Sequence, residues 1–133
     1  MQVVGIRSHH YDAFGEIVFE HFKGRDELSI SVAAHQPYEQ ANILGRLKPD
    51  LYLGHLGSNV LAAKKGIPTL PIYGPNNSYM GYKGVFEVAT RLERVLKNPS
   101  FYNTLEETTK LPYKGEWYDA DPYTYIQQTR EAA

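Results

Sequence analysis

Apolar residues gather in four short runs of strand type: "QVVGI" (Gln2 to Ile6), "LSISV" (Leu28 to Val32), "LYLGH" (Leu51 to His55) and "TLPIY" (Thr69 to Tyr73). Each run is brief and bounded by turn chemistry. Between them the apolar period becomes helical. Phe14, Ile17, Val18 and Phe22 form one stripe, with Asp12 placed to cap its start and Gly24 to end it. In "PYEQANILGRL", Tyr38, Ala41, Leu44 and Leu47 share a side, and Pro49 stops the helix. Ser58 is placed to cap a short helix "NVLAAKK", which exits through Gly66 into the extended pair Ile67-Pro68. A loop rich in Gly, Pro, Asn and Tyr follows the last run. Val85, Val88, Ala89, Leu92, Val95 and Leu96 then recur at helical spacing until Asn98-Pro99.

Regular alternation of short strands with helices predicts parallel pairing, because each crossover returns the chain to the same end of the sheet. The expected fold is α/β: a three-layer α/β/α sandwich around a four-stranded parallel Rossmann or flavodoxin-like sheet in the order 2-1-3-4. From Ser100 onward the periodicity fades. Phe101, Tyr102, Tyr113, Trp117, Tyr118, Tyr123 and Tyr125 are interleaved there with Pro, Gly and charge. One short helix is expected near Ser100 and another begun by Asp121-Pro122. This divides the chain into an α/β domain at 1–99 and an aromatic tail at 100–133 that packs on the domain or on a partner. A strand starting one residue after Met1 leads to the expectation of a C-terminal domain excised from a longer chain.

Composition narrows the functions available. Fourteen Lys and Arg against fifteen Asp and Glu give a formal charge of -1 without a block of one sign, so no nucleic-acid footprint stands out. Cysteine is absent, which removes disulfides, thiolate-held metal and a cysteine nucleophile from this chain. No apolar run approaches a membrane span and no signal peptide is evident, so no membrane association is expected and the expected location is cytoplasmic.

In an open parallel sheet, ligands bind beyond the carboxyl ends of the strands. "RSHHYD", "AAHQPY", "GHLGSN" and "YGPNNSYMGYKG" follow the runs in turn and bring His9, His10, His35 and His55 to one predicted edge, while His21 stays on a helix. Ser58, Asn59, Asn76 and Asn77 add neutral polar groups. The cofactor- or substrate-lining candidates are His9, His10, His35, His55, Asn76, Asn77 and Tyr79, hydrogen-bonding a bound anion or substrate. No residue is assigned as catalytic or as a metal ligand, since the carboxylate or thiolate co-ligands a metal uses are missing from those loops apart from Asp12. Neither a phosphate loop nor a GxSxG elbow is present. Glu16, Glu20 and Glu39 fall on polar helix faces. Gly74, Gly81 and Gly84 permit close backbone approach.

The run "LGRLKPDLYLGHLGSNVLAAKKGIPTLPI", then a glycine-containing loop, "MGYKG" and an amphipathic helix ending in "NPSF", resembles the last domain of the nitrogenase component 1 superfamily. The likeness spans Val3 to Phe101 and rests on a "KPD" strand, a "K-x-GIP" turn and a "G-aromatic-x-G" helix start in that order. The resemblance implies a subunit built from several such domains. It implies an iron-sulfur or related metallocluster held mainly by cysteines of other domains, with none bound by this domain alone. Other domains of its own subunit, a homologous partner subunit and an ATP-dependent iron protein reductase are the implied partners. The expected role is one wall of a metallocluster or substrate cavity for multi-electron reduction or cofactor assembly. The domain would not be catalytic alone. The position that would carry the family's cofactor-ligating histidine falls on Pro71, which has no donor nitrogen. That favours an assembly scaffold, a cofactor-free partner subunit or a reductase of another substrate. The alternative reading of the residues is a freestanding small-molecule or metal-binding α/β module without redox activity.

Overall fold

A computed structural model describes residues 2–8, 20–22, 24, 28–32, 36–74 and 79–121. The chain falls into two compact units, Met1–Gln40 and Ala41–Ala133. It is mixed α/β, and its strands pair in parallel.

In the first unit, β1 (Gly5–Ser8) pairs with β2 (Ser29–Val32) in register from Gly5 opposite Ser29 to Ser8 opposite Val32. The first strand starts three residues later than Gln2, because a strand exists only where a partner offers its backbone groups. Pairing begins with Ser29, whose N–H donates to the Val4 carbonyl at 3.1 Å. Gly24 adopts φ 83°, the left-handed geometry expected of it at a helix exit. Residues 20–22 are helical, and the remainder of the expected first helix lies outside the described residues. Pro37 opens α1 (Pro37–Leu47) with its φ already fixed for helix.

The second unit is a β-α-β crossover closed at one end by the tail. Strands β3 (Tyr52–His55) and β4 (Thr69–Tyr73) pair in parallel, with Leu53 opposite Leu70. The register breaks between Gly54, opposite Pro71, and His55, opposite Tyr73. Pro71 supplies the reason, since it has no N–H for the ladder and proline is confined to strand edges and irregularities. Helix α2 (Leu56–Lys64) connects the two strands. It ends through Gly66 at φ 75°, and the Ile67 N–H donates to the Ala62 carbonyl at 3.1 Å.

Leu44, Ala62 and Ile67 form the core, with Tyr52 and Leu61 packed on it. On α1, Ala41 and Leu44 are buried as the stripe predicts, but Tyr38 is 47% exposed. The buried side of the helix instead includes Asn42 and Gly45. A Cβ at Gly45 would overlap the carbonyl of Tyr118, so glycine lets the tail lie directly on the helix. Three helices complete the unit: α3 (Gly81–Lys97), α4 (Pro99–Thr108) and α5 (Gly115–Asp119). Helix α3 packs on β4, and α4 packs on α2. Tyr102 of α4 donates its hydroxyl to the Thr69 carbonyl at 3.2 Å. The Asn42 Nδ2 donates to the carbonyls of Trp117 at 2.5 Å and Ala120 at 2.8 Å, fixing α5.

Where the sequence predicts one four-stranded sheet, the described strands form two two-stranded parallel sheets, β1–β2 and β3–β4. Among the described residues no helix is long and apolar enough to cross a membrane.

Candidate functional site

At the carboxyl ends of β3 and β4, strand β3 runs into α2 without a connecting residue. His55, still extended at φ −76° and ψ 151°, therefore becomes the N-cap. Its Nδ1 accepts the Gly57 N–H at 3.2 Å. Ser58, the expected cap, instead donates its Oγ to the His55 carbonyl at 2.9 Å. With Nδ1 an acceptor, the neutral imidazole carries its proton on Nε2, which gives the strand end a donor. The exposed His55 ring lies 5.8 Å from that of Tyr73, so the ends of the two strands share one rim.

Asn59 lies one turn into α2 and is 5% exposed. Neither its Nδ2 nor its Oδ1 has a hydrogen-bond partner among the described residues. A Cβ at Gly54 would meet the Asn59 Oδ1 and the Ser58 Oγ, so the helix start is pressed onto the end of β3 through glycine. A buried amide left unpaired costs about 1–3 kcal/mol. Ordered water or a further polar group is the ordinary partner of such an amide.

Beyond β4 the chain returns at Tyr79, beneath the guanidinium of Arg91, which sits 5.6 Å from the ring centroid. The Tyr79 hydroxyl is buried without a well-formed hydrogen bond. Arg91 is held above its usual range, first by the hydrogen bond to Glu87 (2.6 Å) and then by Tyr79. Gly84 lies on the Tyr79 backbone, where a Cβ would overlap it. Gly81 opens α3 at φ 61°. The "G-aromatic-x-G" pair thus serves two needs, a left-handed entry and a close helix-to-loop contact. Around it the surface is apolar: Met80 is 81% exposed, Tyr82 98%, Val85 68% and Phe86 74%.

Of the sequence-derived candidates, His55 and Tyr79 are placed on this part of the second unit. His9, His10, His35, Asn76 and Asn77 lie outside the described residues. His21 is exposed, with its ring 5.1 Å from Phe22. Among the described residues no group of three or more His, Asp or Glu side chains converges as a metal site, so no step through a metal follows from them.

Sequence reasoning passed over Arg7. In the first unit its Nη1 donates to the Gln40 Oε1 at 2.6 Å and its Nη2 to the Gln36 carbonyl at 3.2 Å. The end of β1 is thereby tied to the segment that follows β2. The available signal was a lone cation near the end of an otherwise apolar strand. No protein-family model, curated protein or solved structure matches this chain.

Proposed function

We propose that this chain is the C-terminal α/β domain of a nitrogenase component 1-like oxidoreductase subunit, forming one wall of a metallocluster or substrate cavity. The observation that carries the reading is the placement of the ordered motifs. "KPD" leads into β3, "KKGIP" turns α2 into β4 through the left-handed Gly66, and "MGYKG" opens α3 through Gly81. Each motif therefore falls at a junction between elements, and in two of them the left-handed backbone calls for the glycine. Exposed Met80, Tyr82 and Phe86 at the start of α3 suit a surface completed by other protein.

In the finer architecture of this proposal, both parallel pairs belong to one sheet in the order 2-1-3-4 within a three-layer sandwich. The exposure of Leu53, Leu56 and Val60 on β3 and α2 supports it, because an adjoining strand and layer would bury them. The cluster is held mainly by cysteines of other domains. The partners are those domains, a homologous subunit and an ATP-dependent iron protein, in the cytoplasm. Pro71, seated in β4, has no side-chain donor nitrogen, so this subunit does not hold its cofactor through an imidazole at that position. Anaerobic purification of the complete subunit with its natural partner, followed by iron analysis and an electronic spectrum, tests the proposal. Bound iron with sulfur-to-iron charge-transfer absorption is expected, and an iron-free complex would overturn it.

A further inference from the structure

A second feature lies at the opposite, amino-terminal ends of β3 and β4. A cleft of about 430 Å³ opens there between the end of α1, the entry to β3, the turn from α2 into β4, and α4. That volume falls within the ordinary range for small-molecule sites. Leu44, Ile67 and Tyr102 line it and are 4%, 7% and 9% exposed, giving an apolar floor. Lys48, Asp50, Lys65 and Glu106 also line it. The four come from three parts of the chain, Lys48 and Asp50 sharing the entry to β3, and balance to zero charge. Among the described residues no ion pair joins any two of them.

We propose that this cleft binds a small zwitterionic amino acid with an apolar side chain: its carboxylate between Lys48 and Lys65, its ammonium toward Asp50 and Glu106, its side chain on the apolar floor.

The charge pattern selects this class. A simple anion attracted by the lysines would meet two carboxylates, and a simple cation would meet two ammonium groups. A zwitterion satisfies both sets, and an apolar body covers a floor that water solvates poorly. Lys48 takes φ 41° as the left-handed exit of α1, where its N–H donates to the Leu44 carbonyl at 3.1 Å. Lys65 is prepared for such a ligand, because its Nζ lies 4.0 Å from the centre of the Tyr118 ring. Burial lowers its pKa, with Asp119 and Glu106 acting in opposition. A partly dehydrated ammonium gains more from a ligand carboxylate than a solvated one does. Gly66 completes the wall, since a Cβ there would overlap the Glu106 carboxylate.

This inference does not rest on the proposed redox role, and its test is separate from the iron assay. The 133-residue chain is titrated with L-phenylalanine and followed by amide NMR. Glycine, phenylacetate and phenethylamine serve as probes that lack the apolar body, the ammonium and the carboxylate respectively. Saturable shifts centred on Lys48, Gly66, Ile67 and Asn103 are expected with L-phenylalanine, and each control should bind at least about tenfold more weakly. Lys65→Met and Glu106→Gln should each weaken binding at least about fivefold while leaving the free spectrum folded. No saturable shift up to about 10 mM would overturn the proposal, as would equal binding of L-phenylalanine and any control, or affinity unchanged in both variants.

Discussion

Helices α3 and α4 follow one another across Asn98 yet differ in their aromatic residues, since α4 exposes Phe101 and buries Tyr102 whereas α3 exposes both Tyr82 and Phe86. Helix α4 starts on Pro99, packs on α2, and buries Tyr102 to 9% exposure with its hydroxyl bonded to Thr69. Helix α3 buries Gly84 and partly buries Val88, Leu92 and Val95, yet leaves Tyr82, Val85, Phe86 and Leu96 outward. A helix apolar on one stripe needs one neighbour, and one apolar on two stripes needs two. The closed end of the unit therefore has its partner within the described chain, through Asn42, Gly45, Tyr102 and Tyr118. The α3 side leaves its apolar residues exposed, and the proposed function would cover them with neighbouring domains.

The contrast can be broken most severely at the closed end. Asn42→Ala removes both hydrogen bonds that hold α5 and leaves the Trp117 and Ala120 carbonyls without those donors. A loss of about 2 kcal/mol is expected by urea denaturation of the chain. Tyr102→Phe keeps the packing and removes one hydrogen bond to Thr69, and should cost about 1 kcal/mol in the same measurement. Val85→Ser combined with Phe86→Ser alters only the outward side of α3. Stability of the isolated chain should change by no more than about 0.5 kcal/mol, whereas association with the rest of its complex should fall on size-exclusion analysis. A large loss of stability there would mean that the outward side belongs to the unit's own core.

The smallest effect concerns pH. Lys65 has a folded pKa below its ordinary value of 10.5, so the unfolded chain binds more protons between the lowered value and 10.5. Stability from this group therefore rises with pH across that window, and the burial cost is present in full below it. Lys65→Met keeps an apolar stem against Tyr118 and removes the charge. The variant should be slightly more stable than the natural chain at pH 7 and lose that advantage as pH approaches 10.5. Tyr118, raised above 10.0 by burial, contributes stability that is lost as pH rises through its folded value. It is present in both proteins and largely cancels in their difference. An advantage that grew with pH would contradict the assignment.

Local chemistry predicted the elements of the second unit well. Thr69 to Tyr73 is the observed β4, Gly66 is the left-handed exit, and Pro99 begins a new helix. Three features were hidden because they depend on partners distant in sequence. Helix α5 is held by Asn42, far back in the chain, and its five residues carry too little period to announce themselves. Tyr38 fits the apolar stripe of α1, yet the side that packs is the one where Gly45 admits the tail. The sequence points to His55 as a pocket donor, yet its Nδ1 serves as a cap because β3 and α2 abut. The cleft at Lys48 and Lys65 is illegible in the sequence for a related reason: ligands of parallel sheets generally bind at the carboxyl ends of strands, whereas this cleft is assembled at the amino ends by the tail helix α4.

Hydroxyl-radical footprinting of the isolated chain and of its native assembly tests the central contrast most directly. Met80, Tyr82 and Phe86 should oxidise readily in the isolated chain and be protected several-fold in the assembly, while Tyr102 and Tyr118 stay protected in both. Equal reactivity of Met80, Tyr82 and Phe86 in the two states would show that the outward side of α3 faces solvent throughout, contradicting its role as a wall.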